Sequence, residues 1–444
     1  MASDKIDKVL RPVERYLHNE STAGILLLAS ALIAVIWANS PWADSYIHLW
    51  ENEVSLKVAD YTIGNDLHHW INDGLMAMFF FVVGLELKRE IMAGELSDLK
   101  KAMLPMSAAI GGMICPAIIY ILFNPSGTES DGWGIPMATD IAFAIGIMSL
   151  LGKRVPLTLK VFLTALAITD DLGAVLVIAF FYTSDISLLN LGLGVAFMAV
   201  LMGANYLGVR NTLFYGLVGI GGVWLAFLLS GVHATIAGVL AAMAIPARTK
   251  INEPQFVDDL EEKIRQFHEI PPNDVTLLEP AQYKVIQSIH RLTEAAGTPL
   301  QKLESQLHPW VSFLVMPLFA LANAGVVLHG DKIGEMFSSS ITLGVVVGLI
   351  VGKFVGVVVF CWLATKFRIA ALPSEINWSQ IAGVGFLAGI GFTMSLFVTT
   401  LAFDDAELVD SAKLGIFTAS IISGIVGYVV LKRTSKITPA PLEP

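Results

Sequence analysis

Charged side chains are scarce in this chain of 444 residues. They make up 15% of the residues, whereas hydrophobic residues make up 55%. Soluble domains carry about 25% charged residues, so this composition excludes an ordinary soluble domain and indicates a protein built for lipid. The length is sufficient for about a dozen spans of ~20 residues plus loops. The formal net charge of −10 gives no support to a nucleic-acid-binding function.

Other signals are missing as well. The two cysteines, Cys115 and Cys361, lie in separate apolar runs without metal-ligand spacing, so we interpret them as membrane-core residues. A nucleotide-binding P-loop is absent, which argues against ATP as an energy source, and no cofactor is expected. Residues 1–20 mix acids and bases, unlike a signal peptide. We therefore expect the apolar run 23–37 to remain as the first span.

Hydropathy predicts an all-α polytopic membrane protein with twelve transmembrane helices in the lipid bilayer. The predicted spans are roughly 23–39, 67–88, 102–123, 135–151, 157–182, 188–208, 213–229, 232–245, 310–328, 341–365, 381–403 and 412–431. The predicted regions are a cytoplasmic segment 1–22, helices 1–8 within 23–245, a cytoplasmic connection 246–309, helices 9–12 within 310–431 and a cytoplasmic tail 432–444.

The distribution of basic residues predicts the orientation. Lysine and arginine concentrate in alternate connections, whereas the other connections hold only Lys57 and Lys332, with Lys413 at a span edge, and carry acids instead. Because positive charge is enriched in cytoplasmic loops, this asymmetry predicts a multi-pass protein of the bacterial inner membrane with both termini in the cytoplasm.

Two of the connections between predicted spans are not simple short loops. Residues 53–63 alternate apolar and polar side chains, which predicts an external β-hairpin, with an irregular loop as the alternative. An isolated hairpin is marginal in water, so pairing with a second copy would give a homodimer. The stretch 247–306 predicts two soluble helices near Gln255–Glu269 and Ala281–Ala296. The alternative for this stretch is a tolerated insertion without a role in transport.

Four charged residues fall at mid-membrane depth: Asp140, Asp170, Asp171 and Lys353. Each costs about 2.5–3.5 kcal/mol to insert, which points to function. Asp170 and Asp171 lie halfway along the fifth span and point about 100° apart on a helix, so their surroundings differ. Carboxylate oxygens suit a hard cation such as sodium, and burial beside another acid favours their protonated form. Such a pair can exchange one ion for the other.

Two spans carry helix-breaking residues. Pro136 predicts an interruption near Ala138–Asp140, and Gly385, Gly389 and Gly391 predict one in the eleventh span. Interrupted helices in corresponding halves mark a transporter site, a rule drawn in part from the family named below. Asp140 near the helix N-termini and Lys353 near the C-termini would offset the exposed helix ends, unless each is merely paired with another side chain.

Seven motifs carry a resemblance along nearly the whole chain, in order. They are WINDGLMAMFFFVVGLELKRE, ATDIAFAIG, ALAITDDLGA, SGVHATIAG, HPWVSF…PLFALANAG, VGKFVG and GIGFTMSLF. The sequence closely resembles the bacterial NhaA sodium/proton antiporters. The resemblance implies two inverted-topology repeats, spans 3–5 and 10–12, in which the fourth and eleventh spans cross as unwound helices. It also implies dimerisation through an external hairpin, here 53–63.

The resemblance further assigns residues to roles. Asp170 and Asp171 would bind Na+ or Li+ and protons, with Asp171 as principal ligand and Thr139 as a nearby oxygen donor. Asp140 and Lys353 would compensate the helix ends, and Lys353 can pair with Asp170. Gly389 and Gly391 lie in the unwound part of the eleventh span. A cytoplasmic cluster would activate transport at alkaline pH: Glu86, Arg89, Glu90 and Glu304. Ser305 stands where the familiar enteric member has a histidine.

Two rival functions use similar residues. Acid rings line cation channels, but two broken helices and a lone Asp pair favour alternating access instead. An intramembrane protease could use two aspartates, but Asp140 and Asp170 lack the glycine-flanked motif of such a dyad, and no Ser/His constellation is apparent. We therefore predict a transporter and not an enzyme.

Overall fold

The computed structural model describes residues 20–58, 61–183, 186–271, 277–327 and 333–435. Most of the predicted segment 1–22 and of the predicted tail 432–444 lies outside the described residues.

Helices form wherever the sequence has long apolar runs. The first half contains α1 Glu20–Ala38, α2 Ala43–Glu51, α3 Leu67–Ala93, α4 Leu99–Phe123, α5 Ile141–Ser149, α6 Leu157–Phe181, α7 Leu188–Tyr206, α8 Thr212–Leu228 and α9 Ala234–Ala244. The second half contains α10 Glu253–His268, α11 Pro280–Ala296, α12 Pro299–Asn323, α13 Ile333–Ser338, α14 Ser340–Lys366, α15 Trp378–Leu387, α16 Phe392–Ala402 and α17 Ala406–Thr434.

Within the described residues, seven helices are long and apolar enough to cross a membrane, or up to nine if each of two bent pairs counts as one span. Apolar side chains also cover the outside: Leu188 is 80% exposed and Leu189 77% exposed at the start of α7. In water such a surface would be unfavourable, whereas in lipid it is not. These features confirm the prediction of a helical membrane protein.

Two strands pair within the predicted hairpin region. β1 Glu53–Val58 and β2 Tyr61–Asp66 are antiparallel, with Glu53 opposite Asp66. The backbone N–H of Leu67 donates to the Asn52 carbonyl at 3.0 Å, so the chain enters and leaves this element at nearly the same point.

The fourth and eleventh predicted spans are both interrupted. A 3₁₀ helix at Thr128–Met137 is followed by non-helical Ala138–Asp140 and then by α5. Helices α15 and α16 bend by 47° across the break at 388–391. A Cβ on Gly389 would lie 2.4 Å from the Leu349 carbonyl oxygen of α14. Only glycine therefore lets this break approach the α14 backbone so closely.

Helices α4 and α14 pack against each other at two facing glycines. A Cβ on Gly356 would lie 2.1 Å from the Gly111 carbonyl oxygen, and one on Gly111 would lie 2.3 Å from that of Gly356. Small residues allow such close approach of membrane helices. Further along α14, a π-helical turn at Gly348–Gly352 leads directly into Lys353. The crossing thus fixes the part of α14 that carries a buried charge.

The long connection matches the prediction in its first two helices, α10 and α11. Its end differs, because α12 begins at Pro299 and not near 310. The Thr298 hydroxyl accepts a hydrogen bond from the Gln301 N–H at 3.1 Å, and proline is favourable at the first helical position. This Thr-Pro start joins the end of the connection to the ninth span as one continuous helix.

Candidate functional site

Asp140 lies at the N-termini of two helices. Its carboxylate accepts hydrogen bonds from the Phe143 N–H of α5 at 3.1 Å and from the Thr393 N–H of α16 at 3.1 Å. The Thr393 hydroxyl donates to the same carboxylate. Each helix N-terminus carries about +0.5 elementary charge, so two of them offset one carboxylate. The structure thus places Asp140 at the N-termini of α5 and α16, while its predicted compensating role stays a prediction.

Lys353 lies at the other side of the fourth-span break. Its ammonium donates to the Met137 carbonyl at the end of the 3₁₀ helix, to the Asp170 carboxylate and to the Thr139 hydroxyl, the last at 3.0 Å. All three donor positions are therefore used. Lys353 and Asp170 are both completely buried, and such a pair is stable only when its remaining polar atoms are satisfied as well.

The carbonyl groups at the C-terminal end of α15 find hydrogen-bond donors other than Lys353. The Thr139 hydroxyl lies 2.8 Å from the Ala388 carbonyl oxygen and 2.7 Å from Asp170 Oδ2, and it can donate to either. The Asp140 N–H donates to the Ile390 carbonyl at 2.6 Å. Polar groups of the two breaks are therefore hydrogen-bonded to each other, by one backbone–backbone bond and through the Thr139 hydroxyl.

Asp171 differs from its neighbours. It is 1% exposed, and within the described residues neither of its carboxylate oxygens has a hydrogen-bond partner. Oδ1 of Asp170 is also without a partner there. The site thus combines three buried carboxyl groups with one buried ammonium, and Asp171 is the acid that forms neither a hydrogen bond nor an ion pair within the described residues. A proton or a monovalent cation at Asp171 would remove that excess.

The three predicted oxygen ligands are all buried. The Thr139 hydroxyl lies 2.7 Å from Asp170 Oδ2, and Asp171 follows Asp170 in α6. Carboxylate and hydroxyl oxygens are hard ligands. In the part of the chain that the structure describes, no group of three or more His, Cys, Asp or Glu side chains could hold a metal ion.

The four residues predicted to sense pH form a separate cluster. Arg89 Nε donates to Glu304 Oε1 at 2.9 Å, and its Nη1 lies 3.1 Å from Glu90 Oε1. Glu86 interacts electrostatically with the other three. Ser305 is exposed, and its hydroxyl donates to the Lys302 carbonyl at 3.1 Å, so it takes no part in this cluster.

Sequence reasoning missed two hydroxyl residues on α16. Thr393 binds Asp140 as described above, and the Ser395 hydroxyl donates to the Ile135 carbonyl at 2.7 Å. Both lie in the motif GFTMSLF directly after the glycine-rich break. The available signal was a hydroxyl residue at the start of a half-helix, which is a common position for side chains that satisfy helix ends.

A polar groove of about 800 Å³ lies at the ends of the helices that the sequence predicts to be outside. The histidines and acids that line it are His68, His69, Asp73, Asp131, His233 and Asp404. His233 Nε2 lies 2.7 Å from the Tyr182 carbonyl oxygen.

Comparison with known proteins gives one consistent result. Residues 14–431 match the family described as Na+/H+ antiporter 1. A Na(+)/H(+) antiporter NhaA of Oleidesulfovibrio alaskensis is 50% identical over 432 residues, which cover 97% of this chain and 96% of the relative. The Na(+)/H(+) antiporter NhaA 2 of Syntrophotalea carbinolica is 45% identical over 425 residues, covering 96% and 97%. The Koribacter versatilis Na(+)/H(+) antiporter NhaA is 44% identical, covering 97% and 93%. With a match over nearly its whole length and relatives of this similarity, the chain belongs to the Na+/H+ antiporter 1 family.

Proposed function

We propose that the chain is a secondary active transporter that extrudes Na+, and Li+, in exchange for H+. Relatives that match this chain over nearly their full length are named Na(+)/H(+) antiporters. The observation that carries the proposal is the buried Asp171 carboxylate, which has no hydrogen-bond partner within the described residues and lies next to the Asp170–Lys353 pair. A buried acid of this kind is stable when it holds either a proton or a cation, and unfavourable when it holds neither.

Competition between the two ions follows from this arrangement. Na+ takes ligands from Asp171 and Asp170, with the Thr139 hydroxyl as a further donor, and a proton at Asp171 removes the charge that the ion needs. Sodium at Asp170 also displaces Lys353 from its partner. Electrogenic exchange needs more protons than sodium ions per cycle, and Asp171 together with the Asp170–Lys353 pair can supply them.

The crossing of the two broken spans supports alternating access. We infer two inverted repeats, spans 3–5 and 10–12, because the interrupted segments and the glycine-mediated crossing of α4 and α14 occupy corresponding positions. Rocking one repeat against the other would open the aspartates to either side. The polar groove with Asp73 and His233 would serve the outer side.

We also propose the finer properties that the sequence predicts. The protein would lie in the inner membrane with both termini in the cytoplasm. The cluster of Glu86, Arg89, Glu90 and Glu304 would regulate exchange by pH. The β1–β2 hairpin would join two copies, because both edges of a two-stranded sheet are open to further pairing.

The alternative of a cation channel is less well supported. A conducting filter needs an open path for the ion, whereas Asp170 and Asp171 are 0% and 1% exposed. The related proteins are named antiporters and not channels.

Proton release by purified protein tests the proposal. Adding Na+ to weakly buffered protein should release protons in a saturable manner, and adding the same concentration of choline should not. In proteoliposomes, the reversal potential of the current should depend on the proton gradient. Absence of release, or a reversal potential independent of that gradient, would contradict antiport and favour the channel.

A further inference from the structure

A cationic groove lies away from the transport site. It has a volume of about 830 Å³ and is formed where α4 begins, α14 ends and α15 begins, on the face that the sequence predicts to be cytoplasmic. Lys100, Lys366 and Arg368 line it, together with Trp362 and Trp378. Ion exchange as proposed above uses none of these residues, so the groove is open to a separate role.

The three basic side chains have no acidic partner within the described residues. The ion pairs found there leave out Lys100, Lys366 and Arg368. The only acid in the segment 367–377 is Glu375, and its carboxylate accepts a hydrogen bond from the Thr158 hydroxyl. Asp98, two residues before Lys100, accepts a hydrogen bond from the Lys100 backbone N–H at 2.9 Å but forms no ion pair with its ammonium among the described residues. The lining of the groove therefore contains three basic side chains and no acid.

One cation is also held at a defined position. The ammonium of Lys366 lies 4.4 Å from the centre of the Trp362 ring, which is cation–π geometry. Trp362 is 46% exposed and Trp378 is 39% exposed. Tryptophan side chains are enriched at the level of lipid headgroups, so the groove lies where a bilayer presents its phosphates.

Arg368 adds an independent observation from the backbone. Its φ is +58°, and it is the only non-glycine residue with positive φ in the described part of the chain. It ends α14: its N–H donates to the Thr365 carbonyl at 3.1 Å, and the Ile369 N–H donates to the Ala364 carbonyl at 2.9 Å. Glycine fits this position with less strain. A strained arginine at the rim of a groove points to a role for its side chain.

We propose that this groove binds the phosphate of an anionic phospholipid whose acyl chains lie along α4 and α14. Basic pockets between membrane helices on the cytoplasmic side are suited to such headgroups. A free phosphate would offer the same charge, but the rim is apolar: Leu99 is 77% exposed, Phe367 67% and Ile369 50%. Acyl chains cover this rim and a free anion does not. The proposal is independent of ion exchange.

Native mass spectrometry of the full chain in non-ionic detergent tests this site. Phosphatidylglycerol should be retained on the protein at concentrations at which phosphatidylcholine is not. Each basic residue near a membrane surface contributes about fivefold in affinity. The double variant K366Q/R368Q should therefore bind phosphatidylglycerol about 25-fold more weakly. The matched control K153Q/R154Q removes the same charge from the same predicted face and should bind as the wild type does.

A single substitution separates binding from folding. Arg368→Gly relieves the backbone strain, so its thermal denaturation temperature should equal or exceed that of the wild type, while phosphatidylglycerol affinity falls about fivefold. Equal phosphatidylglycerol retention by the wild type, K366Q/R368Q and R368G would overturn the proposal. Full displacement of phosphatidylglycerol by inorganic phosphate at millimolar concentration would identify an anion site instead of a lipid site and would overturn it as well.

Discussion

The buried charges at the helix crossing differ in how they are compensated. Two helix N-termini offset Asp140, and Lys353 offsets Asp170, whereas the Asp171 carboxylate has no partner within the described residues. Asp171→Asn keeps the side-chain shape but can neither carry the charge nor take up a transported proton. We expect the variant to fold and to lose both sodium-dependent proton release and exchange in vesicles. Proton release on adding Na+ measures this directly.

Two further variants serve as comparisons for Asp171→Asn. Asp258→Asn makes the same chemical change on the exposed surface of α10 and should leave exchange unchanged. Asp170→Asn should be impaired less completely, because its main effect is that Lys353 loses its partner. Robust exchange by folded Asp171→Asn protein would reject the mechanism.

Substitution of Thr393 tests how much its hydroxyl stabilises the buried Asp140. Its hydroxyl and its N–H both donate to Asp140, which is 1% exposed. Thr393→Val removes one donor from a buried carboxylate and should lower stability by about 1–3 kcal/mol. Thr393→Ser retains the hydroxyl and should restore most of that loss. Thermal denaturation in detergent measures both, and equal stability of the Val and Ser variants would contradict this role.

At the scale of elements, the crossing of α4 and α14 depends on two facing glycines. A Cβ on Gly356 would lie 2.1 Å from the Gly111 carbonyl oxygen, which is backbone and cannot rotate away. Gly356→Ala must therefore separate the helices, and we expect a loss of about 1–3 kcal/mol or more. The displaced α14 also carries Lys353, so exchange should fall together with the melting temperature.

Gly203 provides the matched control for that substitution. It lies in α7, and a Cβ there would meet nothing within 4 Å. Gly203→Ala should leave stability unchanged or raise it by about 0.5–1 kcal/mol, since alanine favours helix more than glycine does. If both variants melt at the wild-type temperature, the close crossing of α4 and α14 is not required for stability.

Some features of the elements could be predicted from the sequence, and others could not. The helix interruptions were predictable because Pro136 and Gly389 mark them locally, and the buried charges were predictable because lipid makes them costly. The partners of those charges were harder to predict, since Thr393 contacts Asp140 although the two are 253 residues apart in the sequence. No local pattern encodes that contact. The start of α12 at Pro299 was missed because hydropathy weighs apolar runs and ignores the Thr-Pro capping signal.

For the molecule as a whole, the Arg89 cluster joins α3 to α12. With Glu304→Gln, one negative charge fewer surrounds the remaining acids, and Arg89 is left to Glu90 and Glu86. Because the remaining acids then meet less like-charge repulsion, the activity profile should shift to lower pH. A partly exposed ion pair of ~1 kcal/mol corresponds to about 0.7 pH unit.

Vesicle exchange assayed across pH measures that shift. Glu294→Gln is the control, because Glu294 forms an exposed pair with Lys302 at 3.3 Å away from the cluster. Its profile should match the wild type. An unchanged profile in Glu304→Gln would remove Glu304 from the regulatory cluster, while complete loss of exchange would indicate a structural role.

Assembly of two copies is the largest-scale property that the structure allows to be tested. A short link can replace the β1–β2 hairpin, because Asn52 and Leu67 are hydrogen-bonded across its base at 3.0 Å. Asp66 is kept, since its carboxylate caps α3 by accepting a hydrogen bond from the His69 N–H at 2.7 Å. Replacing 53–65 by Gly-Gly removes one hydrogen bond to α3, from Trp70 Nε1 to the Val54 carbonyl, and should preserve the membrane helices. Two-stranded sheets are marginal alone, so a stable hairpin is expected to pair with another copy. We expect the deletion to weaken dimerisation by light scattering in detergent while vesicle exchange continues. A dimer as stable as the wild type would exclude the hairpin as the contact, and loss of exchange by a folded monomer would indicate that transport requires the pair.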